Sequence, residues 1–330
     1  MKNGGIAVAG NMIVDYVKTI DSYPKPGMLV TVTGGEKAVG GSVPNVLVDL
    51  AKMGNEIPLT ALGCIGRDDL GDLILNELGK SGIDTRMVHR LEASTGVTDV
   101  MNARDTGERT FFHNRGANAL FSPEHVDLDR LDARILHIAY LLLLDVFDSP
   151  DEEYGTVMAR FLHVAQQKGF LTSIDVVSDN SGRFAEVVRP ALKYSDYVIV
   201  NEVEGCGAFE LAPRAADGKL IEANIKAALT AFIENGVGRM AVIHCPEAGF
   251  SMDRQGNYTK VPSLKLPEGY IQGSVGAGDA FCAGCLRAIY MGRSAEEMLY
   301  LGAAAAAASL SRPDATGGMR PEAELMRLQL

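Results

Sequence analysis

No apolar run in the sequence is long enough to span a bilayer. The longest, Ile135 to Leu144, contains His137 and reads as a buried strand. The opening MKNGGIAVAGN lacks the apolar stretch and small-residue cleavage site of a signal peptide, so none is expected. Cysteine is scarce: five residues are an odd count, too sparse for a disulfide framework, which fits a reducing cytoplasm. Positive charge is in deficit, with 31 Lys and Arg against 42 Asp and Glu and a net charge of −11. An acidic surface repels phosphate backbones and anionic lipid, so neither nucleic acid nor a membrane is an expected partner. A local cationic pocket for a small anion remains compatible with it. There is no internal repeat. Over 330 residues, 47% are hydrophobic and 22% charged, which excludes disorder, collagen and coiled coil as descriptions of the whole and allows a sizeable core.

Short apolar runs alternate with segments of helical period, the pattern of βα repetition around a mostly parallel sheet. Ile6 to Ala9, Leu59 to Leu62, Ile135 to Leu144, Leu171 to Val176, Tyr197 to Val200 and Met240 to His244 read as buried strands. Val43, Val46, Leu47 and Leu50 share one helical face, so Ser42 to Met53 is a helix ended by Gly54. Asp68 caps a second helix with Leu70, Leu73, Ile74 and Leu78 on one face, stopped by Gly79 and Gly82. Two long helices close the chain, about Ala277 to Tyr290 and Ala295 to Ser311. The run Ala303 to Ala308 belongs to the second, where small side chains permit close packing. Two stretches break the rhythm. Met28 to Thr33 alternates weakly after the turn Pro24-Lys25-Pro26-Gly27. Thr98 to Arg104 and Arg109 to Asn114 flank Asp105-Thr106-Gly107-Glu108 as a hairpin. Together they read as a small antiparallel lid over the open sheet.

The sharpest motif is Gly273-Ser274-Val275-Gly276-Ala277-Gly278-Asp279, which runs directly into a helix. Side-chain-poor backbone at a helix start offers free N–H groups and the positive end of the dipole, an anion site suited to a phosphate. No Lys-Ser/Thr follows, so it is not a Walker loop. Asp279 is either a first-turn helix residue or a general base where a hydroxyl meets a phosphoryl donor. Gly40-Gly41-Ser42-Val43-Pro44-Asn45 opens the first helix. It is a tight turn with a polar first-turn residue, or a close backbone approach to a polyol whose hydroxyls meet the Asn45 amide.

The pair Gly40-Gly41-x-x-x-Asn45 early and Gly276-Ala277-Gly278-Asp279 late resembles the two signatures of the ribokinase-like (PfkB) carbohydrate kinase family. The resemblance covers nearly the whole chain, in order. Gly10-Asn11-Met12-Ile13-Val14-Asp15 looks like the first strand and its substrate aspartate. Gly63-Cys64-Ile65-Gly66-Arg67-Asp68-Asp69-Leu70-Gly71 looks like the GxxGxDxxG turn, Arg115-Gly116-Ala117-Asn118 like the GAN segment, and Asn201-Glu202-Val203-Glu204 like NxxE. The resemblance implies a three-layer α/β sandwich, a single domain over residues 1–330. Its mostly parallel central sheet carries a small β-sheet lid built from about 12–36 and 96–116. It implies ATP-dependent phosphorylation of a hydroxymethyl group on a small carbohydrate. Asp279 would be the base, with Gly276, Ala277 and Gly278 as the anion hole. Asp15, Gly40, Gly41 and Asn45 would hold the substrate. Asn201 and Gly249 would lie on the nucleotide side, and Glu204 near Mg²⁺, acting through water. A homodimer through the lid is the assembly it suggests.

The departures are specific. The late signature usually opens Asp-Thr, with that Asp at a monovalent-cation site in many members; Gly273-Ser274 stand there, which counts against K⁺ activation. The nucleotide-side turn, usually Thr-x-Gly-x-x-Gly, is His244-Cys245-Pro246-Glu247-Ala248-Gly249, so only Gly249 matches. Ribokinases proper often carry a Glu after the central strand, where Leu141 to Leu144 stand here, which weakens ribose as substrate. Of the family's Asp-x-Asn-x-Arg, only Asp175 matches in Asp175-Val176-Val177-Ser178-Asp179. Cys282-Ala283-Gly284-Cys285 has CxxC spacing but lies inside a helix pattern and reads as core. His113 and Arg115 either touch substrate, an anionic sugar acid in the case of Arg115, or are structural. The expected function is sugar kinase. A nucleoside kinase on the same fold, or a non-catalytic sugar-binding relative, is the alternative.

Overall fold

Strands apolar on every residue need cover on both faces, and the chain supplies it with helices. The structure is a computed structural model that describes residues 4–106, 108–178 and 182–328. Gly107 of the hairpin turn and Asp179 of the Asp-x-Asn-x-Arg comparison lie outside them. In chain order the strands are β1 (Gly5–Gly10), β2 (Ile13–Ile20), β3 (Val32–Gly40), β4 (Leu59–Gly66), β5 (Asp84–Leu91), β6 (Gly96–Ala103), β7 (Arg109–Asn114), β8 (Ala133–Leu141), the two-residue β9 (Pro150–Asp151) and β10 (Gly155–Thr156), β11 (Leu171–Val176), β12 (Tyr197–Asn201), β13 (Met240–His244), β14 (Ala248–Asp253) and β15 (Tyr258–Pro262). The helices are α1 (Ser42–Met53), α2 (Asp69–Lys80), α3 (Val157–Gln167), α4 (Phe184–Leu192), α5 (Glu202–Gly207), α6 (Glu222–Glu234), α7 (Ala277–Tyr290), α8 (Ala295–Ser309) and α9 (Glu322–Leu325).

Nine strands form one sheet in the order β15-β14-β13-β12-β11-β8-β1-β4-β5. From β13 to β5 every neighbour is parallel; β14 and β15 close one edge antiparallel. Alternate residues of β1 feed two cores. Ala7 and Ala9 join a cluster with α3, α4 and α6, while Ile6 and Val8 join one with α1, α7 and α8. Burying one such Ile or Leu side chain contributes about 1.5–3 kcal/mol. The alanine run of α8 has the expected role: a Cβ on Gly284 of α7 would lie 2.8 Å from the Gly302 Cα of α8, so only small residues allow this approach.

The second sheet has the order β3-β2-β6-β7. Its outer pairs are antiparallel, but β2 and β6 are parallel, which corrects the all-antiparallel lid. The reason is topological: β2 follows β1 and β6 follows β5, and both leave the same edge of a parallel sheet. The strand expected over Met28 to Thr33 begins at Val32 instead. Met28 turns back on the Lys25 carbonyl, and pairing with β2 makes the glycine-rich segment to Gly40 a strand. β8 stops at Leu141 rather than Leu144, because Leu142 takes φ +82° and the Leu143 N–H returns to the Tyr140 carbonyl. Apolarity there reported burial, not extension. Gly63 to Gly66 continue β4 rather than turn; Asp68 caps α2 as expected, accepting from the Gly71 N–H at 2.9 Å.

Candidate active site

Parallel strands put all their C-terminal ends at one edge, where open α/β sheets leave a crevice. Asn11 follows β1, Tyr140 and Asp175 are the penultimate residues of β8 and β11, and Asn201 and His244 end β12 and β13. Two cavities lie along this edge. One, of about 930 Å³, runs under the small sheet and is lined by Asn11, Asp15, Gly41, Asn45, Phe111 and Ile271 among others. The second, of about 430 Å³, is bordered by Asp175, Asn201, Glu204, His244 and Gly278. Both include Tyr140, Ser274, Gly276 and Asp279, so the cavities meet at the start of α7.

Gly276 caps α7 at φ +76°, and a Cβ there would come within 2.6 Å of Ala315. Only glycine fits this turn without strain. First-turn N–H groups have no intrahelical acceptors; Gly276 and Gly278 border the cavities, whereas Ala277 borders neither and its N–H lies 3.5 Å from the Ser274 carbonyl. Asp279, in that first turn, is 5% exposed. Its Oδ2 accepts from Asn45 Nδ2 at 2.8 Å, and the Tyr140 hydroxyl donates to Oδ1 at 3.0 Å and Oδ2 at 3.1 Å. Burial pushes its carboxyl up to about 6, against the downward pull of Asn45 and Tyr140 and with a further push from the Asp175 charge. A carboxyl poised there is ionised at neutral pH and can take a proton.

Of the residues expected to hold the substrate, Asp15, Gly41 and Asn45 line the larger cavity and Gly40 does not. Asp15 is pushed up to about 6 by burial, opposed by its hydrogen bond with Thr98. Gly40 does not line the cavity; its missing Cβ makes room for Asp15, whose Oδ2 would lie 2.2 Å from one. Gly41, at φ +86°, lets the chain pass Asn11. Asn45 spends its amide nitrogen on Asp279 and leaves Oδ1 without a partner among the described residues. Sequence reasoning missed Asn11. It is 1% exposed, with both side-chain polar atoms unpaired among the described residues, an arrangement that awaits a polar ligand. An Asn after a Gly reads as a turn, which hid it.

On the other side, Asn201 and Glu204 form a capping box on α5. Burial pushes Glu204 up to about 8, yet three donors serve its oxygens: the Asn201 N–H, the Asn201 amide and the Ser178 hydroxyl. With both oxygens so engaged, Glu204 suits contact with a cation through water rather than direct ligation. Gly249 borders neither cavity. It is buried on β14, where a Cβ would press on Leu299 and Phe281 at 3.2 Å. His244, also missed, stacks on Phe281 with centroids 4.5 Å apart and faces Gly278; burial pushes it down to about 4, so it is neutral.

The other candidates divide: Arg115 and the two CxxC cysteines make structural contacts, while His113 lines the larger cavity. Arg115 pairs with Asp145 and supports the Leu142 carbonyl at 3.2 Å. His113 faces the large cavity and meets Thr98 Oγ1 at 2.9 Å. Asn118 of the GAN segment grips both backbone groups of Met12, at 2.9 Å each. Cys282 and Cys285 are buried free thiols, as expected of core residues; Cys282 Sγ lies 3.5 Å from His137 Nε2. Asp49, one turn beyond Asn45, is fully buried with neither oxygen paired among the described residues. Burial first, then the Asp279 charge, pushes its carboxyl well above the ordinary value of 3.8. Unfolding frees it to ionise, so the native protein loses stability as pH rises above about 4. Asp49→Asn is therefore expected to raise Tm at pH 7, by about 2–4 °C per kcal/mol recovered, with the gain vanishing near pH 3–4. Thermal melts of both proteins across that range check it; an equal gain at every pH contradicts a buried neutral acid.

Three comparisons bear on this arrangement. The family model described as pfkB family carbohydrate kinase matches residues 4–322. The probable fructokinase-3 of Arabidopsis thaliana is 26% identical over 180 residues, covering 53% of this chain and 48% of that protein. The chain thus spans about half the length of that relative. The ribokinase of Haemophilus influenzae is 23% identical over 330 residues, covering 97% of each chain. Among solved structures, Arabidopsis thaliana ribokinase complexed with ribose and ATP superposes with a TM-score of 0.80 at 23% identity, covering 99% of this chain and 98% of that one. Among the described residues no helix is long and apolar enough to cross a membrane. With the family model matched over residues 4–322 on a ribokinase fold, the chain belongs to the pfkB family of carbohydrate kinases.

Proposed function

We propose that this protein transfers the terminal phosphoryl group of ATP to a hydroxymethyl group of a small sugar. The supporting observation is the meeting of two cavities at one buried carboxylate beside a helix N-terminus. Asp15, Asn11 and Asn45 hold acceptor hydroxyls in the larger cavity. Asp279 takes the proton as the hydroxyl oxygen bonds to phosphorus and the bond from phosphorus to the ADP oxygen breaks. Backbone N–H groups of Gly276, Ala277 and Gly278 stabilise the charge on the transferred phosphoryl. Asn201 and His244 border the donor phosphates, while Gly249 supports them only as backing for His244. Mg²⁺ would supply charge neutralisation on the nucleotide, with Glu204 holding its water shell. Position 273 offers no carboxylate for K⁺, and a Cβ there would meet Pro313 at 2.8 Å, so turnover without K⁺ is part of the proposal.

The small sheet covers the acceptor and excludes competing water. Its exposed Val32 and Phe112, with Leu29 of the loop before β3, fit a homodimer through the lid, which sedimentation of the full chain decides. Five buried free thiols fit a reducing cytoplasm. A nucleoside acceptor is the second reading, favoured by a cavity in the range of drug-sized ligands with Phe111 and Ile271 exposed on its wall. ADP release with Mg-ATP across pentoses, hexoses, sugar acids and nucleosides, with and without K⁺, tests all of this. Turnover of one sugar class supports the main reading, and turnover confined to nucleosides supports the second. Sugar binding without ADP release overturns both in favour of a non-catalytic binding protein.

A further inference from the structure

Tyr140 borders both cavities and contacts both oxygens of Asp279. Burial, then the neighbouring Asp279 charge, pushes its phenol far above the ordinary range, so it is a permanent donor. Its backbone takes φ +63°, a region that bulky L-residues rarely adopt, and Leu142 follows at +82°. The turn is held from several sides. Asp175 Oδ1 accepts the Tyr140 N–H, Arg115 donates to the Leu142 carbonyl, and the Leu144 N–H donates to Asp148 Oδ2 at 3.1 Å. Behind Asp175, His137 Nε2 lies 3.5 Å from Oδ2, and its Nδ1 meets Ser173 Oγ at 3.0 Å. Strained backbone kept in place by this many contacts marks a constrained functional position.

We propose that Tyr140 is the positioning residue of the base: its hydroxyl aims the Asp279 carboxylate at the acceptor and stabilises the carboxylate in its charged form. The groups around Asp279 are Asn45 and Asp49 of α1, Tyr140 of β8, Asp175 of β11 and Cys282 of α7, with Glu204 of α5 beyond Tyr140. Asp175 opposes ionisation of Asp279, while Asn45 and Tyr140 favour it. Losing the phenol therefore raises the pH at which Asp279 becomes a carboxylate.

The proposal rests on Asp279 being the base, and the test separates the two. The wild-type kcat/KM profile is expected to have its acid limb near pH 6. Tyr140→Phe is expected to move that limb up by about one unit and lower kcat about tenfold, with KM for ATP unchanged. 3,5-Difluorotyrosine at position 140, a stronger donor of nearly the same shape, moves the limb the other way and serves if the Phe variant does not fold. An unmoved limb in a folded variant overturns the inference. If Asp279→Asn is inactive while Tyr140→Phe keeps the wild-type profile, only the role of Tyr140 fails. If Asp279→Asn turns over normally, the reading beneath it fails.

Discussion

Asp279→Asn is expected to lower kcat by about 10²–10⁴-fold, the range for removal of a general base. Asn is isosteric, and two donors already serve this carboxylate, from Asn45 and Tyr140. One amide-to-amide contact becomes less favourable, at about 1–3 kcal/mol if a buried donor is left unpaired. The variant is expected to stay folded, and acceptor binding, which we assign to Asp15, Asn11 and Asn45, is expected to be largely kept. Steady-state ADP release beside acceptor binding by calorimetry checks the separation. Turnover near wild type would remove Asp279 from the chemistry. Loss of acceptor affinity with kcat intact would make it a binding group instead.

Gly278→Val is expected to reduce kcat/KM for ATP by about 10²–10³-fold without unfolding the protein. The neighbouring Gly276 shows why position matters. A Cβ at Gly276 meets Ala315 at 2.6 Å on a left-handed backbone, so even alanine strains the turn. At Gly278 a Cβ has ordinary room, with His244 the nearest atom group at 3.7 Å, and φ is not in the left-handed region. What a valine fills at 278 is the cleft itself, between the helix start and His244. Melting temperature and ATP turnover therefore part company: Gly276→Ala loses both, Gly278→Val loses turnover alone. Unchanged ATP turnover in a folded Gly278→Val protein would argue against the anion hole.

Local pattern was informative wherever one element carried the signal. The helix over Ser42 to Met53, the Asp68 cap and the glycine turn into α7 follow from periodicity, capping chemistry and side-chain-free backbone. Each depends on neighbours within a few residues. The same logic failed at Leu142 to Leu144, where an apolar run is equally consistent with a buried turn, and at Val32 to Gly40, where a polar glycine-rich segment becomes a strand through its partner β2. Arg115 looked like a candidate for an anion, yet its charge is met by Asp145, thirty positions away in sequence.

The residue types at Gly276 to Asp279 and Gly40 to Asn45, with the other motifs in order and the βα rhythm around them, pointed from sequence alone to the family and the fold class. Their signals are short-range, and backbone freedom or its lack is written in each residue. Only the tertiary structure decided how Asp279 is held and how acidic it is. Its partners Asn45 and Tyr140 come from two other elements, α1 and β8, and its burial comes from the packing of all three. Desolvation and hydrogen bonding across such distances in sequence leave no local pattern. For the same reason Asn11, Tyr140 and His244 reach the site unannounced: each sits at the end of a different parallel strand, and only the sheet brings those ends together.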